Sequence, residues 1–174
     1  MRHFVVICVL MFVTLGATAQ NNDLQLIRAA FQGIQSEEDI EKILSFEVQE
    51  NEAEELNIIM AYKAAGECMM AEYVFSPISK LKYFNRGKKN LEAAIAKGKH
   101  VENIYLRLLI QLNVPKMLNY NDDVTGDIEF LGDQLPSSSI DPDYKRLMME
   151  NLLQVTKKKE QREALLQIKQ AASS

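Results

Sequence analysis

Histidine and cysteine are nearly missing from this chain: two of each in 174 residues, with one of each pair inside the first eight positions. Little is left for nucleophilic or metal chemistry. Cys68 falls on an apolar helix and His100 at a helix link, where it is solvated, and no metal-spaced His/Cys cluster, phosphate loop or nucleophile elbow occurs. A lone Cys on an apolar helix reads as a small core residue. Tryptophan is absent, and glycine (7) and proline (4) are scarce, which leaves a chain rich in the helix formers Leu, Ala, Glu, Lys, Ile and Met. No alternating strand pattern appears in it. An excess of positive charge is missing too. The formal net charge is −4, and nucleic acid, whose phosphates require a basic footprint, is excluded as a partner. No cofactor, metal or catalytic residue is assigned.

The longest apolar run sits at the N-terminus. Arg2 and His3 precede the uncharged stretch Phe4 to Val13, and Thr14 to Ala19 taper to Ala17-Thr18-Ala19. This is the pattern of a secretory signal peptide cut after Ala19. A membrane anchor needs about 20 apolar residues, more than this run supplies. A lipoprotein needs Cys at the cleavage point, whereas Cys8 lies mid-run without a small-residue box. Cleavage leaves Cys68 as the single cysteine, so no intrachain disulfide forms. The A-x-A site followed by Gln20 resembles exported proteins of the Bacteroidota and implies a periplasmic, or secreted, protein.

Residues 20–170 then read as one helical domain, with a disordered tail at 171–174. Leu24, Ile27, Phe31 and Ile34 form a short amphipathic helix. Ser36 caps a second helix with Glu37, Glu38 and Asp39 in its first turn and Ile40, Ile43 and Leu44 inward. Asn51 and Glu54 suggest a capping box for a third helix, Ala53 to Phe75, apolar on nearly every side. Such a helix is buried or membrane-spanning, and Lys63, Glu67 and Glu72 decide for burial as the central helix. Ser76-Pro77 opens a fourth, Ile78 to Lys97, burying Leu81, Phe84, Leu91, Ala94 and Ile95 and exposing Lys80, Lys82, Arg86, Lys88 and Lys89. A fifth spans Val101 to Asn113, and Pro115 ends it. A sixth runs from Asp122 or Asp123 to Leu135. Asp141-Pro142 starts the last, whose pattern fades after Lys157-Lys158-Lys159 before an extension at Leu165 and Ile168.

About seven short helices with tight links predict an all-α, antiparallel helix-hairpin stack. Gly87, Leu91 and Ala94 stand at the spacing of the second helix of a tetratricopeptide repeat, with Leu91 where an aromatic is usual. Tyr62, Ala65, Gly66 and Met69 suit that repeat's first helix, and Tyr105, Leu108 and Leu112 the first helix of a following unit. The chain thus resembles a degenerate tetratricopeptide unit. It departs from the pattern in a lengthened Gly66–Gly87 link and in Lys99 near the place of the terminal Pro. Three segments, Ala61 to Gly66, Lys80 to Gly87 and Leu106 to Pro115, look like exported helical proteins of the Bacteroidota. That likeness covers residues 54–131 and implies a tetratricopeptide-like fold with no established activity.

Three constellations bear on function. Asn121-x-Asp123-x-Thr125-Gly126 is similar to the start of a calcium loop, but Gly132 occupies the place of the bidentate Glu. Helix capping by Asp122 or Asp123 accounts for these acids. Glu47, Glu50, Glu52, Glu54 and Glu55 form an acidic run that reads as a solvated helix start; the basic face of helix four would meet it in this chain or in a partner. Arg107, sharing a stripe with Gln111 on a mostly buried helix, requires an acceptor. Glu67 or Glu72 supplies one as a structural pair. The functional reading is a groove in which Tyr62, Tyr83, Arg107 and Gln111 hold a carboxylate-bearing ligand or peptide terminus. The expected function is non-enzymatic binding of a protein or peptide partner in the periplasm, with no integral membrane span after cleavage. The rival is a small-ligand or divalent-metal-binding protein.

Overall fold

A computed structural model describes residues 23–48 and 52–172. The signal-peptide reading, Glu50 and the Asn51 capping box lie outside the described residues. Those described form α1 (Asp23–Gln32), α2 (Glu37–Ser45), α3 (Ala53–Tyr73), α4 (Pro77–Lys97), α5 (Val101–Asn113), the 3-10 turn η1 (Lys116–Leu118), α6 (Val124–Gln134), α7 (Pro142–Val155) and α8 (Lys159–Ala172). No strand occurs among them, and the all-α expectation stands.

The helix starts follow their sequence signals. Ser36 Oγ accepts from the Asp39 amide, and Ser76 Oγ from that of Ser79. Asp141 Oδ1 accepts from the amides of Asp143 and Tyr144 ahead of Pro142. Each satisfies donors that the first helical turn leaves unpaired. Eight helices are described where about seven were expected. The difference lies at Thr156, whose hydroxyl turns back onto the Leu152 carbonyl (2.6 Å) as α7 ends. Leu165 and Ile168 then belong to a separate helix rather than an extension. The expected tail shortens accordingly: Ala171 and Ala172 form the last turn of α8, and residues 173–174 lie outside the described ones.

Three hairpins run antiparallel, as their cross-helix bonds show. Asn57 reaches the Ala94 carbonyl and Glu67 accepts from Asn90, so α4 descends as α3 ascends. Arg107 with Asp127 and Gln111 with Asp123 pair α5 against α6 in the same sense. Glu150 with Lys169 and Leu153 with Arg162 do so for α7 and α8. Helix α3 packs most extensively on α4 and also touches α1, α2 and α5. Ile58, Ile59, Ala61, Tyr62, Ala64 and Ala65 are all buried, more than one face of a helix can hold. It is the central helix the sequence predicts.

Gly87 sets the closeness of α3 and α4. A Cβ there would lie 2.6 Å from the Ala64 carbonyl oxygen and from the Cys68 amide nitrogen. No side chain fits, and the backbones approach because none is present.

Candidate functional site

Arg107 is buried on α5 and is satisfied by carboxylates from α4 and α6. Its Nε and Nη2 donate to Asp127 at 2.8 and 2.6 Å, a bidentate pair. Nη1 donates to Glu92 at 3.0 Å, and Asp123 stands 3.7 Å away. Burial works against the charge, but Asp127, Glu92 and Asp123 together outweigh it and the Arg107 pKa stands above its ordinary value. Burial pushes the Asp127 carboxyl up, with Arg107 pulling against it. The expected partners were Glu67 or Glu72. Glu67 instead binds Arg86 at 2.8 Å, and Glu72 is exposed. The acids of the 121–129 segment also differ from expectation: Asp123 makes no side-chain cap, and its carboxylate faces Arg107 and Gln111.

A second buried network was not anticipated. Arg28 of α1 forms a bidentate pair with Glu102 of α5. Glu102 also accepts from the Tyr62 hydroxyl at 2.6 Å, which lies 2.6 Å from the hydroxyl of Tyr144. Gln32 and Asn151 carry the chain of bonds onward to Tyr105. One carboxylate thus ties α1, α3, α5 and α7 together. Burial and the adjacent Glu102 charge hold the Tyr62 phenol far above its ordinary range, so it donates and does not ionise.

The four residues assigned to a groove therefore separate. Tyr62 belongs to the Arg28 network. Arg107 and Gln111 meet at Asp123, Gln111 at 3.4 Å. Tyr83 lies half-buried on α4 under the Arg86 guanidinium, 5.0 Å from its ring centre, and joins neither network. With its donors on Asp127 and Glu92, Arg107 has the structural role of an ion pair, and the four-residue groove is not formed.

Among the described residues the acidic run does not meet the basic face of α4. Antiparallel packing puts the start of α3 beside the end of α4, away from Lys80 to Lys89. There Glu54 lies 3.2 Å from His100, which is half-buried rather than solvated. Glu52, Glu54 and Glu55 border a cleft of about 650 Å³ floored by Arg28 and Glu102. Among the described residues no group of three or more His, Cys, Asp or Glu is placed to hold a metal ion.

The apolar surface is elsewhere. At the α3–α4 turn Phe75 is 99% exposed and Ile78 81%, while Met117 on η1 is 88% exposed. Leu81, expected in the core, is 48% exposed. Between α4 and η1 lies a groove of about 500 Å³, with Cys68, Ala71 and Phe84 on its floor and Leu81, Met117 and Leu118 on its walls. Lys80 and Glu72 border it. Burial pushes the Cys68 thiol up to about 12, so it is protonated at neutral pH, and it donates to the Phe84 carbonyl. Helical periodicity placed Leu81 in the core; Phe75, Ile78 and Met117 carried no such expectation. No family model, curated protein or solved structure matches this chain.

Proposed function

We propose that this chain is an exported, non-catalytic domain of stacked, tetratricopeptide-like hairpins that binds a protein partner in the periplasm. Its docking surface is the groove between α4 and η1. The observation that carries this reading is the exposure of Leu81 and Met117 on the walls of a groove floored by Ala71 and Phe84. Large apolar side chains gathered at one concave place mark interaction surfaces far more often than scattered ones do. Of the former candidate site, Tyr62 and Arg107 are committed to buried carboxylates. Burial holds the Tyr62 hydroxyl beside Glu102 protonated, and the Cys68 thiol likewise.

The test compares proteins cross-linked to the exported, tagged chain with those cross-linked to a Leu81→Ser/Met117→Ser variant. Both side chains are exposed, so the variant should melt at the wild-type temperature and lose the partner. A partner retained at wild-type yield would rule this groove out.

A further inference from the structure

Where the end of α5, the link from η1 to α6 and the turn between α7 and α8 meet, a cleft of about 540 Å³ is bordered by Lys116, Lys157 and Lys158. No acid lines it, although the net charge of the chain is −4. None of the three lysines forms an ion pair among the described residues. Glu92, bonded to Tyr120, and Asp123, beside Gln111, both face Arg107 at 3.0 and 3.7 Å. Three like charges around one concavity repel one another, and an anion between them relieves that repulsion.

The same cleft holds an unmatched acceptor. Gln111 lines it from α5 and is only 4% exposed. Its Nε2 donates to Asp123 at 3.4 Å, while its Oε1 is buried with no hydrogen-bond partner among the described residues. A buried acceptor left in this way costs free energy until a donor reaches it. The start of α8 adds to the positive side. The Lys158 carbonyl accepts the first α8 bond, from the Arg162 amide, but its side chain has no acceptor with which to cap the first turn. Lys158 and Gln161 bring that helix end to the cleft, where its dipole favours negative charge.

We propose that this cleft, a second site independent of the docking groove, binds a phosphomonoester that carries a neighbouring hydroxyl. The lysines and the first-turn amides of α8 would hold the phosphate, and the hydroxyl would donate to Gln111. The lining has no arginine, whose planar fork suits a carboxylate, whereas lysine meets phosphate as a point charge. A phosphomonoester, with its charge of about −1.5 to −2, also offsets more of the three cations than a carboxylate does. The volume lies in the range of small-molecule sites. The same chemistry is offered by a soluble polyol phosphate and by a lipid headgroup.

Isothermal titration of the full exported chain with glycerol 3-phosphate, and with sulfate as an anion lacking a donor, tests this. Saturable binding to one site is expected, tighter for glycerol 3-phosphate. Lys116→Gln/Lys157→Gln/Lys158→Gln should weaken it by about tenfold or more. Lys80→Gln/Lys82→Gln/Lys89→Gln removes the same charge from exposed positions outside the cleft and should leave it unchanged. Gln111→Met should weaken glycerol 3-phosphate roughly fivefold, as for one lost hydrogen bond, and sulfate not at all. Co-sedimentation with vesicles of phosphatidylcholine and lysophosphatidic acid separates the sources. Binding to those vesicles with none to soluble glycerol 3-phosphate assigns the phosphate to a lipid headgroup, and the reverse assigns it to a soluble ligand. Equal weakening by the two triple variants would reduce the effect to overall charge and overturn the site. Equal weakening of both anions by Gln111→Met would overturn the hydroxyl contact. No binding of either probe by a chain with the wild-type circular dichroism spectrum would overturn the proposal and leave the docking groove untouched.

Discussion

Arg28 and Arg107 are both buried, and each is gripped bidentately by a carboxylate from another helix. Their surroundings differ. Arg107 meets three acids, Asp127, Glu92 and Asp123, all within 20 positions in sequence and two of them on the hairpin partner α6 or at its start. Arg28 meets one, Glu102, which lies 74 positions away and also serves Tyr62. The first arrangement is redundant and local; the second runs through a single carboxylate that joins four helices. A desolvated ion pair contributes little net stability by itself, yet its breakage leaves an uncompensated charge. The number of groups depending on one acceptor should therefore decide which site is more fragile.

The largest effect is expected from Glu102→Ala. It strands the Arg28 guanidinium and takes the Tyr62 hydroxyl's acceptor at once. Loss of about 3–5 kcal/mol should appear in urea unfolding, the range for breaking one side of a buried pair. A loss below about 1 kcal/mol, the range of exposed pairs, would mean that Arg28 reaches water when unpaired, and the fragility argument would fail.

Arg107→Met should cost less, about 1–3 kcal/mol, because Asp127 can take up a proton in place of its lost partner. The sign of the pH dependence separates the two variants. Burial already pushes the Asp127 carboxyl above its ordinary 3.8 in the folded protein, and removing Arg107 removes the opposing pull. The folded state then holds a proton that the unfolded chain has released. Stability of Arg107→Met should fall as pH rises from about 4 through the raised folded value. Unfolding curves across that window that parallel wild type would show that losing Arg107 raises the Asp127 carboxyl no further.

How much of this contrast could be read beforehand depends on where the partners lie. Arg107 stood out as a cation on a nearly all-apolar helix, and its need for an acceptor was legible. Its partner was not, because Asp123 and Asp127 sit where acids ordinarily stabilise a helix start. Arg28 and Glu102 gave no signal at all. Arg28 occupies a polar position on an ordinary amphipathic helix and Glu102 the first turn of α5, where an acid ordinarily stabilises a helix start, and only the packing of the helices brings them together. The central role of α3 and the caps Ser36 and Asp141 were visible because period and capping are local properties. Leu81 misled for the same reason. Apolar periodicity says which face a residue shares, and a helix end that outruns its neighbours leaves that face open.

Replacing each whole pair sharpens the comparison further. Arg107→Met/Asp127→Leu removes both charges and leaves Glu92 with Tyr120, whose hydroxyl lies 2.5 Å away. This double variant should fall within about 1 kcal/mol of wild type, since apolar replacement of buried ion pairs is often neutral. Arg28→Met/Glu102→Leu should remain destabilised by about 1–3 kcal/mol, the cost of the unpaired buried Tyr62 hydroxyl. Equal stability of the two doubles would show that Tyr62 and Tyr144 satisfy each other without Glu102.

The smallest effect belongs to a pair with the same atoms at the surface. Glu150 of α7 and Lys169 of α8 lie 2.9 Å apart with both side chains partly exposed. The Lys169 hydrogen bond holds the Glu150 carboxyl below its ordinary 4.5. A lowered folded value stabilises above the unfolded one and is lost as pH falls through it, the reverse of the Arg107→Met behaviour. Exposed pairs are also screened and entropically costly to hold. Glu150→Gln should leave the urea midpoint unmoved at neutral pH and remove only a slight acid-side decline. If it instead destabilised as much as Arg107→Met, distance rather than desolvation would govern these pairs. The contrast between the two buried arginines would then need another cause.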